Sequence, residues 1–224
     1  MFADIINKLK NSLSSSDFRK RLIMTLIFVP LTGVSVAFYN LANFGVDPFT
    51  VLVQGTYNKM PSAITYGLTY IIISVIEVIA IFFIDKKKIG IGTFINLFLL
   101  GYIVDYSTRA LKYLTGDLAD NMAVRIISLA IGVVLMCICA AFYFTSDLGV
   151  STHDAVALIA ADKQKVIPFS ILRVLDDGLC VIVGGILGGT FGVGTLIAAF
   201  GCGPLVAFFR RKISDPIRYG KASK

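Results

Sequence analysis

A chain of 224 residues that is 56% hydrophobic, with a mean hydropathy of +0.81, is too apolar for water to be its main solvent. The net charge of +7 does not argue for nucleic acid, because the basic residues neither gather on one soluble face nor interleave with exposed aromatics. They report membrane topology instead.

The first segment, residues 1–21, places Phe2, Ile5, Ile6, Leu9 and Leu13 on one stripe with Lys8 and Lys10 off it, then runs into the linker SLSSS. This predicts an amphipathic helix on the cytoplasmic surface; a docking helix for a partner protein is the competing view. Six apolar blocks follow: Leu22–Phe44, Ala63–Ile84, Gly90–Leu111, Ala123–Phe144, Ile167–Gly189 and Phe191–Phe209. Each has about the 20 residues that cross a hydrocarbon core roughly 30 Å thick. No cleavable signal pattern precedes the first, which reads as a retained helix. The expected fold is an all-α membrane protein of six transmembrane helices: a first three-helix repeat over 22–112, a second over 123–213, and a cytoplasmic tail over 214–224.

With the amino terminus inside, sixteen Lys and Arg residues fall in cytoplasmic segments, while only Lys59, Arg109, Lys112 and Arg125 fall outside. That asymmetry places both termini in the cytoplasm of a bacterial inner-membrane protein. Cys137, Cys139, Cys180 and Cys202 lie within apolar spans, where a thiol packs as a small apolar group. Cys137 and Cys139 point to different helix faces and the only histidine is elsewhere in the sequence, so neither a disulfide nor a metal is expected.

The chain carries an internal duplication. AFYNLANFGVDPFTVL from Ala37 aligns without gaps to AFYFTSDLGVSTHDAV from Ala141, and GIGTFINLFLLG from Gly90 aligns to GVGTLIAAFGCG from Gly192. Because each copy holds three spans, the second must begin on the opposite side of the membrane, which makes the repeats inverted. The turn DKKKIGIG is lysine-rich and its counterpart GGTFGVG is not, as inversion requires. Inverted repeats are common in transporters, with a site near the midplane between the copies; a duplicated bundle kept for assembly is the alternative.

The ordered motifs LANFGVDPFTVL, GIGTFINLFLLGYIVD, DLGVSTHDAVAL, ILRVLDD and GGTFGVGTLIAAFGCGPLVAFF, spanning about Leu22 to Ile213, resemble the YczE-like membrane proteins of the YczE/YyaS/YitT group. The resemblance implies a multi-pass bacterial membrane protein and says little of its biochemical role. This chain departs from the family pattern at Thr50, where an acidic residue is usual, at Thr152 and His153, where Pro-Arg or similar is usual, and at Asp177, where Glu is common. If those positions select a ligand, this member selects a different one.

Several residues stand out as chemistry-bearing. Gly45 and Gly149 follow the first and fourth spans, Pro48 suits the first turn of a short helix, and Asp47 is placed to cap it. A short helix starting part-way into the membrane would aim free N–H groups at an anionic group; ordinary extramembrane turns are the alternative. Asn43 and Asp147, equivalent in the two copies, are candidates to cap the short helices or line the site.

Glu77, Asp176 and Asp177 sit inside apolar helices, and Asp105 toward the outer end of the third span. A carboxylate at the bilayer centre costs about 2.5–3.5 kcal/mol, so such residues face protein or water and mark pathways. Arg173 and Asp177, spaced i,i+4, share a helix face, as a strut or a ligand contact, whereas Asp176, rotated by about 100°, cannot point the same way. His153 and Asp154 fall at the cytoplasmic end of the second copy. A lone histidine is a poor basis for a metal site but suits sensing or shuttling protons. The Gly-x-Gly-Thr turns lack the lysine and strand of a phosphate loop and suit tight packing, as do Gly184, Gly185, Gly188 and Gly189.

The sequence offers no nucleophile with a base, no metal cluster and no nucleotide motif, so no enzyme activity and no cofactor are expected. The leading expectation is a small-solute transporter or membrane solute-binding component whose site is lined by Asn43, Asp47, Asp105, Asp147, His153, Asp154, Arg173 and Asp177. The alternative is a non-transporting accessory protein that supports a biosynthetic or transport partner. Expected partners are the lipid bilayer, an unidentified small solute and either a membrane protein or a second copy, and not nucleic acid.

Overall fold

The computed structural model describes residues 16–85, 89–164, 166–167 and 169–220. The expected amphipathic helix over Phe2–Leu13 and the lysines at 86–88 lie outside these residues. Among the described residues the chain is all-helical, without strands.

The elements run α1 (Ser16–Ala42), α2 (Pro48–Lys59), α3 (Tyr66–Asp85), α4 (Ile91–Thr115), α5 (Met122–Ser146), α6 (Thr152–Gln164), α7 (Phe169–Ile186) and α8 (Val193–Tyr219), with π-helical turns in α8 at Ile197–Gly201 and Arg210–Ser214. Five of them, α1, α3, α4 continued by its 3-10 turn, α5 and α8, are long and apolar enough to cross a membrane. α7, the expected fifth span, is 18 residues long and carries Arg173, Asp176 and Asp177. Charge rather than length sets it apart.

Burial is distributed as in a protein solvated by lipid. Ile76, Ile79, Phe82, Phe83, Ile127 and Phe200 are exposed, whereas Thr25, Ser35, Thr69, Ser74, His153 and Asp177 are buried. Water would select the reverse pattern, while lipid requires polar groups to find partners inside the protein. The described part of the chain is thus compatible with a multi-pass membrane protein.

The two sequence copies contain four helices each rather than three, because α2 and α6 intervene as short helices of 12 and 13 residues. Their packing is exchanged. Arg21, opening α1, donates from Nε to the Ser146 carbonyl at 2.7 Å and from Nη2 to the Asp147 carbonyl, at the end of α5. Arg125, opening α5, donates from Nε to the Ala42 carbonyl at 2.8 Å and from Nη2 to the Asn43 carbonyl at 2.9 Å, at the end of α1. Arg21 and Arg125, Ala42 and Ser146, and Asn43 and Asp147 are each 104 positions apart, the spacing of the sequence alignment. Orphan carbonyls at each helix end thereby gain charged donors, and α1 runs antiparallel to α5.

The Gly-x-Gly-Thr turns are exchanged in the same way. Gly194 N–H donates to the Phe44 carbonyl and Gly92 N–H to the Leu148 carbonyl, each at 2.8 Å. Gly45 and Gly149 have φ of +97° and +113°, and a Cβ on either would enter the opposing turn, 2.5 Å from Thr195 Oγ1 or 2.6 Å from Thr93 Oγ1. Only glycine combines that φ with that proximity. The core fills the space between these junctions, with Val29, Val36, Val53, Tyr70, Leu100 and Val104 at its centre.

Candidate functional site

The two short helices begin alike and differ in what they carry. Asp47 caps α2, its Oδ1 accepting from Thr50 N–H at 3.2 Å, with Pro48 in the first turn as expected. Ser151 does the same for α6, its Oγ accepting from Asp154 N–H at 3.2 Å. Asn43 and Asp147 do not cap these helices. Each instead adopts φ of +52° in the link that precedes one, the left-handed conformation that Asn and Asp tolerate best.

Where the helix starts meet, Phe49 stacks on the His153 ring, with centroids 5.0 Å apart at 22°. His153 Nε2 lies 2.8 Å from Asp177 Oδ1, and Nδ1 lies 3.1 Å from Asp176 Oδ2. Asp176 and Asp177 do leave α7 in different directions, but the histidine between them is wide enough to meet both. The second contact is close without being aligned, so Asp176 Oδ2 remains without a hydrogen bond. Arg173 pairs through Nη1 with Asp154 Oδ1, and its Nε is 4.0 Å from Asp177 Oδ2. The i,i+4 pair foreseen on α7 is therefore the looser of two, and Arg173 bridges α6 to α7.

Glu77 of α3 approaches the same cluster, within electrostatic reach of His153, Asp154 and Asp176, and its Oε2 is buried without a hydrogen bond. Counted back from Asp85 or forward from Phe169, Glu77 and Asp177 each lie eight residues, about 12 Å, from their helix ends. Cys180 is also here. A single histidine distant in sequence from the cysteines argued against shared donors, yet one further turn of α7 carries Cys180 to within 4.8 Å of ligand atoms of His153 and Asp176.

The other end of the bundle holds a cleft of about 300 Å³ lined by Asn43, Asp105, Gln54, Tyr57, Tyr66 and Lys112, among others. Its polar wall is continuous: Thr190 N–H donates to Gln54 Oε1 at 3.2 Å, Gln54 Nε2 to Asn40 Oδ1 at 2.7 Å, and Asn40 Nδ2 to Thr108 Oγ1 at 3.1 Å. Asp105 meets Arg109 at 3.3 Å. Between cleft and cluster stands Asp47, in electrostatic reach of Tyr39 and Tyr66 on one side and of His153 and Asp177 on the other. Its Oδ2 is buried without a hydrogen bond.

The fold thus gathers His153, Asp154, Arg173 and Asp177 in one cluster, brings Asp47 to its edge, and sets Asn43 and Asp105 in the cleft. Asp147 stands apart, its side chain 74% exposed beside Arg21 and Arg218. Gln54, Asn40 and Thr108 are not among the residues the sequence singled out, and Cys180, read there as packing, joins the cluster. For the first three the available signal was an amide or hydroxyl within an apolar run.

A family model, the family of unknown function DUF6198, matches residues 19–211. The chain belongs to the DUF6198 family. A relative in Haemophilus influenzae (strain Rd), described as an uncharacterized protein, is 26% identical to this DUF6198 chain over 191 residues, covering 85% of this chain and 83% of its own. No solved structure matches the chain.

Proposed function

We propose that this DUF6198 protein is a small-solute membrane carrier, or the solute-binding component of one. In this reading it is built from two inverted three-span repeats in a bacterial plasma membrane, with both termini cytoplasmic and the solute site between the repeats. The observation that carries the reading is the charged cluster of His153, Asp154, Arg173, Asp176 and Asp177 inside apolar helices, with a polar cleft reaching toward it from the opposite end. Intramembrane ionisable groups are costly to hold, and a path for a polar solute is the usual reason to hold them.

The exchanged contacts of Arg21 with Arg125 and of the two Gly-x-Gly-Thr turns support an inverted relation between the halves. α7 is then the sixth crossing: Leu175, Leu179 and Ile182 are exposed on it, while Asp177 is turned inward. The lysine asymmetry supports the orientation. The YczE-like resemblance belongs to the same reading.

The test is solute binding by purified protein, read as a thermal shift across a panel of small ions and metabolites, followed by uptake into proteoliposomes. Sustained uptake with no partner supports a stand-alone carrier, and saturable binding without flux supports a binding component. Neither binding nor flux overturns the proposal and favours the accessory role.

A further inference from the structure

The cluster brings three side chains of metal-ligating type together. Cys180, His153 and Asp176 each offer one ligand atom, and these lie within 4.8 Å of one another. Asp177 occupies Nε2 of His153 and so leaves Nδ1 as the available face of the ring. Nδ1 and Asp176 Oδ2 are 3.1 Å apart without forming a hydrogen bond. Two ligand atoms held about 2.0–2.2 Å from one tetrahedral ion stand roughly 3.3–3.6 Å from each other, so the pair is within a few tenths of an ångström of the separation a shared ion imposes.

The charge is also unbalanced. Glu77, Asp154, Asp176 and Asp177 face one permanent cation, the guanidinium of Arg173, which engages Asp154 and Asp177, and the imidazole of His153 between Asp176 and Asp177, so that carboxylates outnumber cationic groups even with the ring protonated. Asp176 and Glu77 are left with buried oxygens lacking any hydrogen bond. Such an excess in a lipid-embedded bundle calls for a cation.

We propose that His153, Asp176 and Cys180 form a binding site for a divalent transition-metal ion of the zinc type, with the Glu77 carboxylate beside it. The donor set decides the class: imidazole nitrogen and thiolate sulfur suit borderline-soft ions, whereas magnesium and calcium take oxygen ligands alone. Asp177, on the far nitrogen of His153, is the carboxylate that fixes the tautomer and orients the ring of a metal-bound histidine. Cys180 binds as thiolate and releases its proton on metal binding. The site names a substrate or coupling-ion class for the transport reading, yet rests on the donor geometry alone.

The experiment uses the full-length untagged chain in detergent, stripped with chelator and titrated with Zn²⁺ against a chromophoric competitor. One ion per chain is expected, with Cys180→Ser and His153→Asn each weakening binding by about tenfold or more. Co²⁺ added to the unmodified chain should give a thiolate charge-transfer band, a readout that needs no variant to fold. A stripped chain that takes up no ion, a cobalt spectrum without that band, or a folded Cys180→Ser protein of unchanged affinity overturns the site. Bound metal without flux of any solute counts against a stand-alone carrier and leaves the site standing; uptake of a metal-free solute by a chain that binds no ion supports the carrier and overturns the site.

Discussion

The starts of α2 and α6 are the same piece of backbone used twice for different chemistry. Both follow a left-handed residue and a positive-φ glycine, both carry a side-chain cap, and both lock against the opposite copy's Gly-x-Gly-Thr turn. At the position where Phe49 is apolar, the second copy has His153; where Thr50 is neutral, it has Asp154. Around α2 the neighbours are Tyr66, Tyr70 and Asn40, the last bonded to Gln54 of α2 itself, whereas around α6 they are Arg173, Asp176, Asp177 and Glu77. Duplication therefore specifies the frame, and divergence on that frame makes one side a buried ionic cluster and the other an open polar cleft. The change from Phe to His has the largest consequence, because it places the only histidine where two carboxylates of α7 can reach it.

The comparison is broken most severely at the glycines. Gly45→Val and Gly149→Val each force a β-branched residue into positive φ and into the opposing turn, which should cost about 3–5 kcal/mol from strain and overpacking together. Loss of monodisperse protein in detergent, equal for the two variants, is the expected result. A tolerated valine at either position alone would show that the two junctions are not equivalent.

Next in size is Arg173. Its removal leaves Asp154, whose side chain is 11% exposed, without its guanidinium partner, and leaves Asp177, 8% exposed, with the His153 contact alone. Since Arg173 itself is 37% exposed, the expected loss is about 2–3 kcal/mol, below the range for a fully buried pair. The double change Arg173→Leu, Asp154→Leu should recover part of that loss in thermal denaturation while abolishing solute binding. A double variant with unchanged binding would reduce the pair to a strut between α6 and α7.

Smaller, and symmetric, are the losses at Arg21 and Arg125. Alanine at either removes charged donors from two helix-end carbonyls and should cost about 1–2 kcal/mol. Because the two arginines act at opposite ends of the α1–α5 pair, the double variant should be additive to within about 0.5 kcal/mol, measured as midpoint shifts in detergent. Strong non-additivity would mean that the two clamps are coupled through the helices between them.

Much of this frame was legible beforehand because it is written in patterns that need no partner: apolar runs, a repeated motif, the glycines and Pro48. The cap of α2 by Asp47 was legible for the same reason, since Asp47 lies within three residues of the N–H that donates to it. The clamps of Arg21 and Arg125 were not, although the pair sits at the repeat spacing, because a basic residue at a helix start reads first as a topology signal. The cluster was legible only in part. Spacing along α7 tied Arg173 to Asp177, yet the closer partner, Asp154, is 19 residues away, and no spacing shows that the His153 ring bridges Asp176 and Asp177. Cys180 was read as packing because its donor neighbours come from other helices. Contacts made through a third element are invisible to periodicity.

The smallest expected effect sharpens the comparison most, and it lies at Asp47. The second copy shows that serine suffices there, since Ser151 Oγ caps α6 by accepting from the N–H three residues on, as Asp47 Oδ1 does for α2. Asp47→Ser should therefore keep the cap on Thr50 N–H and shift stability by less than about 0.5 kcal/mol, where Asp47→Ala costs about 1 kcal/mol. What serine removes is the second carboxylate oxygen, buried without a hydrogen bond between the cleft and the cluster. If Asp47 belongs to the path, the serine variant keeps its melting midpoint and loses solute uptake, whereas as a cap alone it keeps both. An unchanged uptake rate in Asp47→Ser protein would remove Asp47 from the path and leave the charged chemistry to the second copy.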